Sequence, residues 1–305
     1  MTDESLSRRS FVGTAGVAAA GLGRARSGDE GRPFRLKYAP HFGFFNPLSG
    51  DDLVDQIAFG HDQGFRAWED NGMPGRPAAE QERIGEALRT RGMTMGVFVA
   101  DADFKEPTFV LDLPRIRSRL KAAMERAVDV AARCGATWMT VVPGRCAQDR
   151  DRAYQTTNLI DNLRFCADIV EPHGLVMVLE PLNRQDHPGL FLTEMPQAFQ
   201  ICRAVARPSC RILDDLYHQQ ITEGNLIRNL DESWSEVAYI QVGDNPGRRE
   251  PTTGEIDYRN IFRHIFRKGY TGVVGMEHGV SRGGAEGVRR LIEAYRECDE
   301  FREQS

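Results

Sequence analysis

The chain has 305 residues, with 39 Lys and Arg against 44 Asp and Glu and a formal net charge of -5. That balance leaves no cationic excess for a nucleic-acid backbone, and 41% apolar with 27% charged residues describes an ordinary globular chain. Six cysteines (134, 146, 166, 202, 210 and 298) stand apart without a C-x-x-C pair, which argues against a disulfide framework and reads them as small buried residues.

Residues 1–31 differ from the rest. Ser7-Arg8-Arg9-Ser10-Phe11-Val12 precedes the weakly apolar run GTAGVAAAGLG, too short and too small-residued to span a bilayer. An arginine pair before Phe and a small-residue stretch has the pattern of a bacterial twin-arginine export signal, so the protein is expected to be exported, to the periplasm, already folded. No other membrane association is expected.

From residue 32 to 305 strand-like and helix-like patterns alternate, the signature of βα units around a parallel sheet. Strands are predicted at 34–40, 65–70, 94–100, 137–143, 175–180, 210–215, 237–242 and 272–277. Helical periods lie at 53–63, 78–91, 116–133, 152–173, 195–206, 226–231 (short and weak), 258–268 and 285–301. Gly64, Gly92, Gly135, Gly174 and Gly269 each close a helical stretch before a strand, where a left-handed cap is needed. Eight such units and the ~250 residues typical of the architecture predict a single α/β domain, a (β/α)8 TIM barrel.

Four predicted strands end in a hard oxygen donor: Glu180 in VMVLE, Asp215 in RILDD, Gln241 in AYIQV and Glu277 in VVGME. Carboxylates at the ends of apolar runs are costly unless paired or metal-bound, and oxygen donors suit Mg2+ or Mn2+. Barrel active sites gather at the carboxyl ends of the strands. These four are therefore candidate ligands of one divalent cation, with Glu180 and Glu277 also candidates for moving a proton on and off a substrate carbon. Each glutamate could instead pair with a barrel arginine, and Gln241 could be a satisfied core amide. Asp214 and Asp215 point to opposite faces, so only one can face the barrel axis. His218, Arg248 (or Arg249) and Asp186 follow strand ends in loops on the same side and are candidate substrate contacts. His41 and Glu69 end the first two strands and are candidate pocket-lining residues.

The segments VLEPLNRQDHPGLFL, ILDDLYHQQITEGNL, YIQVGDNPGRREPTTGEIDY and GVVGMEHG resemble the hydroxypyruvate isomerase family of xylose isomerase-type TIM barrels, closely over 174–279 and loosely over the barrel. The resemblance implies a metal bound by Glu180, Asp215, Gln241 and Glu277, with the two glutamates as acid and base. It implies interconversion of a hydroxy-ketone and a hydroxy-aldehyde, such as hydroxypyruvate and tartronate semialdehyde. Related ketose 3-epimerases usually carry histidine where Gln241 stands, which favours the isomerase branch; in them residues matching Asp186, His218 and an arginine near Arg248 contact sugar.

The alternatives are a ketose 3-epimerase or sugar or cyclitol dehydratase, an endonuclease-type metal hydrolase, and a non-catalytic sugar-binding barrel. Seven histidines, few at strand ends, disfavour the His-rich zinc centre of the hydrolase. The expected partner is a small hydroxy-carbonyl or sugar substrate; a homo-oligomer is compatible with the pattern.

Overall fold

The computed structural model describes residues 31–301. The leader read at the N-terminus lies, apart from Gly31, outside them. The first half of the chain carries β1 (Lys37–Ala39), α1 (Asn46–Ser49), α2 (Leu53–Asp62), β2 (Ala67–Trp68), α3 (Ala78–Thr90), β3 (Thr94–Met95), β4 (Val99–Ala102), α4 (Pro114–Cys134) and β5 (Trp138–Val142). The second half carries α5 (Arg152–Val170), β6 (Val176–Leu179), α6 (Met195–Val205), β7 (Cys210–Asp215), α7 (Leu216–Thr222) and α8 (Leu226–Ser233). It ends with β8 (Val237–Gln241), α9 (Tyr258–Arg267), β9 (Val273–Gly275) and α10 (Gly284–Asp299).

All strand pairs are parallel. One run is ordered β1-β9-β8-β7-β6-β5-β4 and the other pairs β2 with β3. The ring closes where a parallel bridge joins His41 to Glu69 and where β3 continues into β4. The result is the expected (β/α)8 TIM barrel with eight strand positions.

The third strand is split because of one side chain inside the barrel. A Cβ on Gly96 would stand 2.3 Å from the Tyr239 hydroxyl, and the Val97 amide donates to that hydroxyl at 3.4 Å. The backbone makes room for the tyrosine, and the strand resumes at Val99. Of the glycines expected at helix ends, Gly135 and Gly174 cap α4 and the turn after α5 in the left-handed conformation, with φ of 76° and 70°. The loop after β7 holds α7, a turn of helix the sequence pattern did not predict, ahead of the expected short α8.

Two apolar layers organise the packing. The larger lies between helices and sheet. The smaller fills the barrel axis with Ala39, Ala67, Val97, Val178, Leu213, Tyr239 and Val273. Strand side chains alternate, so the residue two positions onward faces the same way. Two residues past these fillers come His41, Glu69, Val99, Glu180, Asp215 and Gln241. On β9 that position is Gly275, and Glu277 follows two residues further on. The polar site is the layer stacked on the axial core.

Candidate active site

Asp215 and Glu277 meet on one guanidinium nitrogen. Arg248 Nη2 donates to Asp215 Oδ2 at 2.9 Å and to Glu277 Oε2 at 2.7 Å, and Arg248 Nε donates to the Glu277 carbonyl oxygen at 3.1 Å. Arg248 reaches them from a left-handed backbone, φ 49°, a conformation that costs a non-glycine residue about 1–3 kcal/mol and recurs at functional sites. Its guanidinium also stacks on Tyr217, 4.9 Å from the ring centroid. The exposed Arg249 joins neither carboxylate; its carbonyl accepts from the Asp244 amide in the same loop. Asn71 donates to Glu277 Oε1 at 3.0 Å, so both oxygens of that glutamate are held.

Glu180 lies beside this pair and makes no hydrogen bond of its own. His218 Nε2 faces it, 3.8 Å from Glu180 Oε1 and 3.5 Å from Asp215 Oδ2, distances too long for hydrogen bonds. Ligand-capable atoms of Glu180, Asp215 and His218 all lie within 4.8 Å of one another. Asp214, its side chain on the opposite face of the strand, is fully buried and neither of its oxygens has a partner.

Gln241 is oriented from below. Its Nε2 donates to Glu69 Oε1 at 2.8 Å, and Tyr239 donates its hydroxyl to Glu69 Oε2 at 2.8 Å. Glu69 crosses directly over Gly275, where a Cβ would stand 2.0 Å from Glu69 Oε2; only glycine fits there. Glu69 lines the cavity, as expected, but both of its oxygens are engaged, so it acts on the site through Gln241. The Gln241 Oε1 atom is buried and without a partner.

His41 lines the same cavity, of about 270 Å3, with Phe42, Asp70, Asn71, Arg76, Glu69 and Glu277. Its ring nitrogens lie 2.9 Å from the Phe42 carbonyl and 3.3 Å from that of His278. His278 itself is turned outward to the Tyr295 hydroxyl at 2.9 Å. A larger groove of about 580 Å3 lies at the opposite end of the barrel, between α3 and α4, and holds none of these groups. Asp186, exposed, accepts from Asn183 Nδ2 at 2.9 Å and from Tyr217 at 3.0 Å.

Burial and crowding decide the protonation states. Burial, Glu277 and Asp215 push Glu180 well above the usual carboxylate range, with only Arg248 opposing. Burial raises Glu277 to about 7 against the pull of Arg248. Burial and Glu277 raise Glu69 to about 8. Burial also drives His218 down to about 4, so it is neutral at physiological pH.

The donor set fits a divalent cation on two grounds. Three clustered carboxyl groups, Glu180, Asp215 and Glu277, share one cationic partner, Arg248, and it is this crowding and burial that raises Glu180 and Glu277; a divalent cation would let all three ionise together. The orphaned Gln241 oxygen is an acceptor that lacks a cation or a donor. Against this, Arg248 already occupies two of the four expected ligands.

Sequence reasoning missed Asn71, Asn183, Tyr217, Tyr239 and His187. The His187 ring lies between exposed Phe104, at 5.2 Å, and His218, at 5.4 Å, tilted to both, on the rim of the site. Asn71 and Asn183 follow the strand-ending acids closely, and that position on the barrel's catalytic side was the available signal.

Residues 57–298 match the family model of the xylose isomerase-like TIM barrel. The chain belongs to that family. A 2-oxo-tetronate isomerase from Cupriavidus necator is 30% identical over 238 residues, covering 77% of this chain and 90% of that protein. The hydroxypyruvate isomerase of Escherichia coli is 36% identical over 120 residues, 39% of this chain and 46% of that one. Among solved structures, an AP endonuclease, family 2, from Brucella melitensis superposes with a TM-score of 0.73 at 25% identity, over 85% of this chain and 98% of that one. This xylose isomerase-like barrel is an enzyme of the isomerase class, as its relatives are. The endonuclease name is that protein's; among the described residues here the single candidate metal cluster holds one histidine.

Proposed function

We propose that this protein is a metal-dependent aldose–ketose isomerase acting on a small hydroxy-keto acid of the hydroxypyruvate or 2-oxo-tetronate kind. The observation that carries the reading is the pairing of Glu277 with Glu180. Glu277 accepts hydrogen bonds on both oxygens from Asn71 and Arg248, which favours its carboxylate form; Glu180 accepts none and is pushed toward its acid form. Two neighbouring carboxyls with different environments make an acid/base pair.

In this reading Glu277 takes the proton from the carbon bearing the hydroxyl, next to the carbonyl. The C–H electron pair becomes the double bond of an enediolate. A proton delivered by Glu180 to the former carbonyl carbon, with the hydroxyl proton passing between the two oxygens, completes the exchange of carbonyl and hydroxyl. Arg248 and His218 supply donors toward the enediolate oxygens. Glu180, Asp215, Gln241 and Glu277 would hold Mg2+ or Mn2+, which when bound polarises the carbonyl and offsets the clustered charge. The cavity beside His41 and Asn71, lined by Glu277 but not by Glu180, is about 270 Å3, a size that suits a small substrate. The twin-arginine leader completes the proposal: the enzyme folds, takes up its cation and is then exported to the periplasm.

The test is proton exchange. Purified protein with Mg2+ or Mn2+ is incubated in D2O with hydroxypyruvate, 2-oxo-tetronate and a panel of free ketoses. Deuterium on the hydroxyl-bearing carbon of either keto acid is the expected result. Exchange confined to C3 of a ketose would move the assignment to a 3-epimerase. No exchange with any compound, with the cation bound, would leave a sugar-binding barrel.

A further inference from the structure

We propose that the side-chain amide of Asn183 locks His218 as the Nε2–H tautomer, which fixes the nitrogen facing the site as a hydrogen-bond donor and leaves it no lone pair for a metal. The clustering of His218 with Glu180 and Asp215 would by itself make it a ligand. The hydrogen bonds around its other nitrogen argue the reverse.

The Asn183 side chain has no freedom to turn over. Its Oδ1 accepts two backbone amides, from Gln185 at 3.0 Å and from Asp186 at 2.8 Å, and only an oxygen can do that. The amide nitrogen is therefore on the other side, 2.9 Å from Asp186 Oδ2 and 2.7 Å from His218 Nδ1. Its two protons go one to each. The Asn183 backbone amide also points at His218 Nδ1, 3.4 Å away. With two donors converging on it, Nδ1 must present its lone pair. A neutral imidazole carries one ring proton, so that proton is on Nε2.

His218 is 1% exposed, and its Nε2 has no partner. It is a buried N–H aimed between Glu180 and Asp215, where the acid/base chemistry is placed. A metal bond at Nε2 would need the lone pair there and hence a flipped Asn183, which would break two backbone hydrogen bonds and set its oxygen against the Asp186 carboxylate. The free N–H is suited to a hydroxyl or enediolate oxygen. Asp186, expected from the sequence to contact substrate, acts here through Asn183, with Tyr217 holding it from the other side at 3.0 Å. The substrate oxygen as acceptor rests on the isomerase reading; the tautomer does not.

The experiment uses the full chain labelled with 15N at histidine. Long-range proton–nitrogen spectra at neutral pH report which nitrogen of each imidazole is protonated, and the His218 signals are those lost in His218→Gln. Wild type is expected to show His218 protonated at Nε2, before and after addition of Mg2+. Asn183→Ser, whose hydroxyl can keep the turn but cannot reach His218, is expected to show averaged signals of both tautomers; Asn183→Ala is the second variant. A wild-type His218 protonated at Nδ1, or an unchanged tautomer in both variants, overturns the proposal, and the wild-type spectrum decides the first point even where a variant fails to fold. In the exchange assay with hydroxypyruvate and 2-oxo-tetronate, Asn183→Ser should lower kcat/KM about ten-fold or more. His218→Gln should leave Mn2+ affinity within about three-fold of wild type; a loss of about ten-fold or more, the size typical of a disturbed metal site, would make His218 a ligand and overturn the proposal. Absence of exchange with both compounds refutes the isomerase reading, while the tautomer spectrum still decides the role of Asn183.

Discussion

Gln241 Nε2 donates to Glu69 Oε1 at 2.8 Å, so the amide oxygen of Gln241 is the atom left for the site, buried and unpartnered. Glu69 thus serves Gln241 as an outer-shell carboxylate serves a metal-bound histidine. Glu69→Ala is expected to weaken Mn2+ binding by roughly 10- to 100-fold, measured by titration calorimetry, because the amide loses its orientation. It also strips the buried Tyr239 hydroxyl of its acceptor, which should cost about 1–3 kcal/mol of stability in urea unfolding. Unchanged Mn2+ affinity in a folded Glu69→Ala protein would remove Gln241 from the ligand set.

Arg248 and a cation compete for the same oxygens. The guanidinium bonds Asp215 and Glu277 through one nitrogen, so its removal should free both for metal. Arg248→Met is expected to tighten Mn2+ binding by about ten-fold at low salt, through one fewer positive charge nearby. The same variant should lose about 100-fold in turnover, since no group replaces the guanidinium beside the enediolate. Weaker Mn2+ binding would show instead that Arg248 supports the metal site.

Glu180→Gln and Glu277→Gln should each reduce turnover by about 10²–10⁴-fold, the range of a lost proton-transfer group. Glu180→Gln should leave the melting transition near wild type, because Glu180 gives up no hydrogen bond; Glu277→Gln turns an NH2 toward Asn71 or Arg248 and should cost about 1–3 kcal/mol, while both keep the circular dichroism of the folded barrel. Either variant retaining more than about a tenth of wild-type kcat would end its acid/base assignment.

The export reading is checked separately. Arg8→Lys together with Arg9→Lys is expected to hold the protein in the cytoplasm, followed by fractionation and immunoblot. Periplasmic recovery of the double variant would refute the leader assignment.

The barrel and its polar layer were legible because strand alternation is local. An apolar run ending in Glu, Asp or Gln names both the strand and the direction of its last side chain, and Glu180, Asp215, Gln241 and Glu277 were read that way. What could not be read is set by chain segments meeting at a distance. Asn183 depends on a loop turn that aims its amide at His218, 35 residues away. The break in the third strand comes from the Tyr239 side chain, 142 residues from Val97. The sequence pattern hides α7 because Asp215 both ends its strand and caps the helix, through a 2.9 Å bond to the Tyr217 amide. His218 therefore lies on a helix and not in the expected loop.

Asp214 supplies a pH test that is independent of catalysis. It points away from the axis, is 0% exposed and has no hydrogen bond on either oxygen. Burial, with Asp215 and Glu223 adding to it, raises it from an ordinary 3.8 to about 8. The folded state thus binds this proton more tightly than the unfolded chain does. Stability from the protonated form is complete below the unfolded value near 4 and declines as pH rises toward 8, because the unfolded carboxyl ionises first. Asp214→Asn removes that slope. Relative to wild type it should gain on the order of 5 kcal/mol at pH 8 and well under about 1 kcal/mol at pH 4, which for a domain this size is a Tm difference of roughly 10–20 °C. Calorimetric scans of both proteins across this range, in buffer stripped of divalent ions, check it. A difference that stays constant with pH would mean that Asp214 is ionised in the folded protein through a partner or an ordered water network.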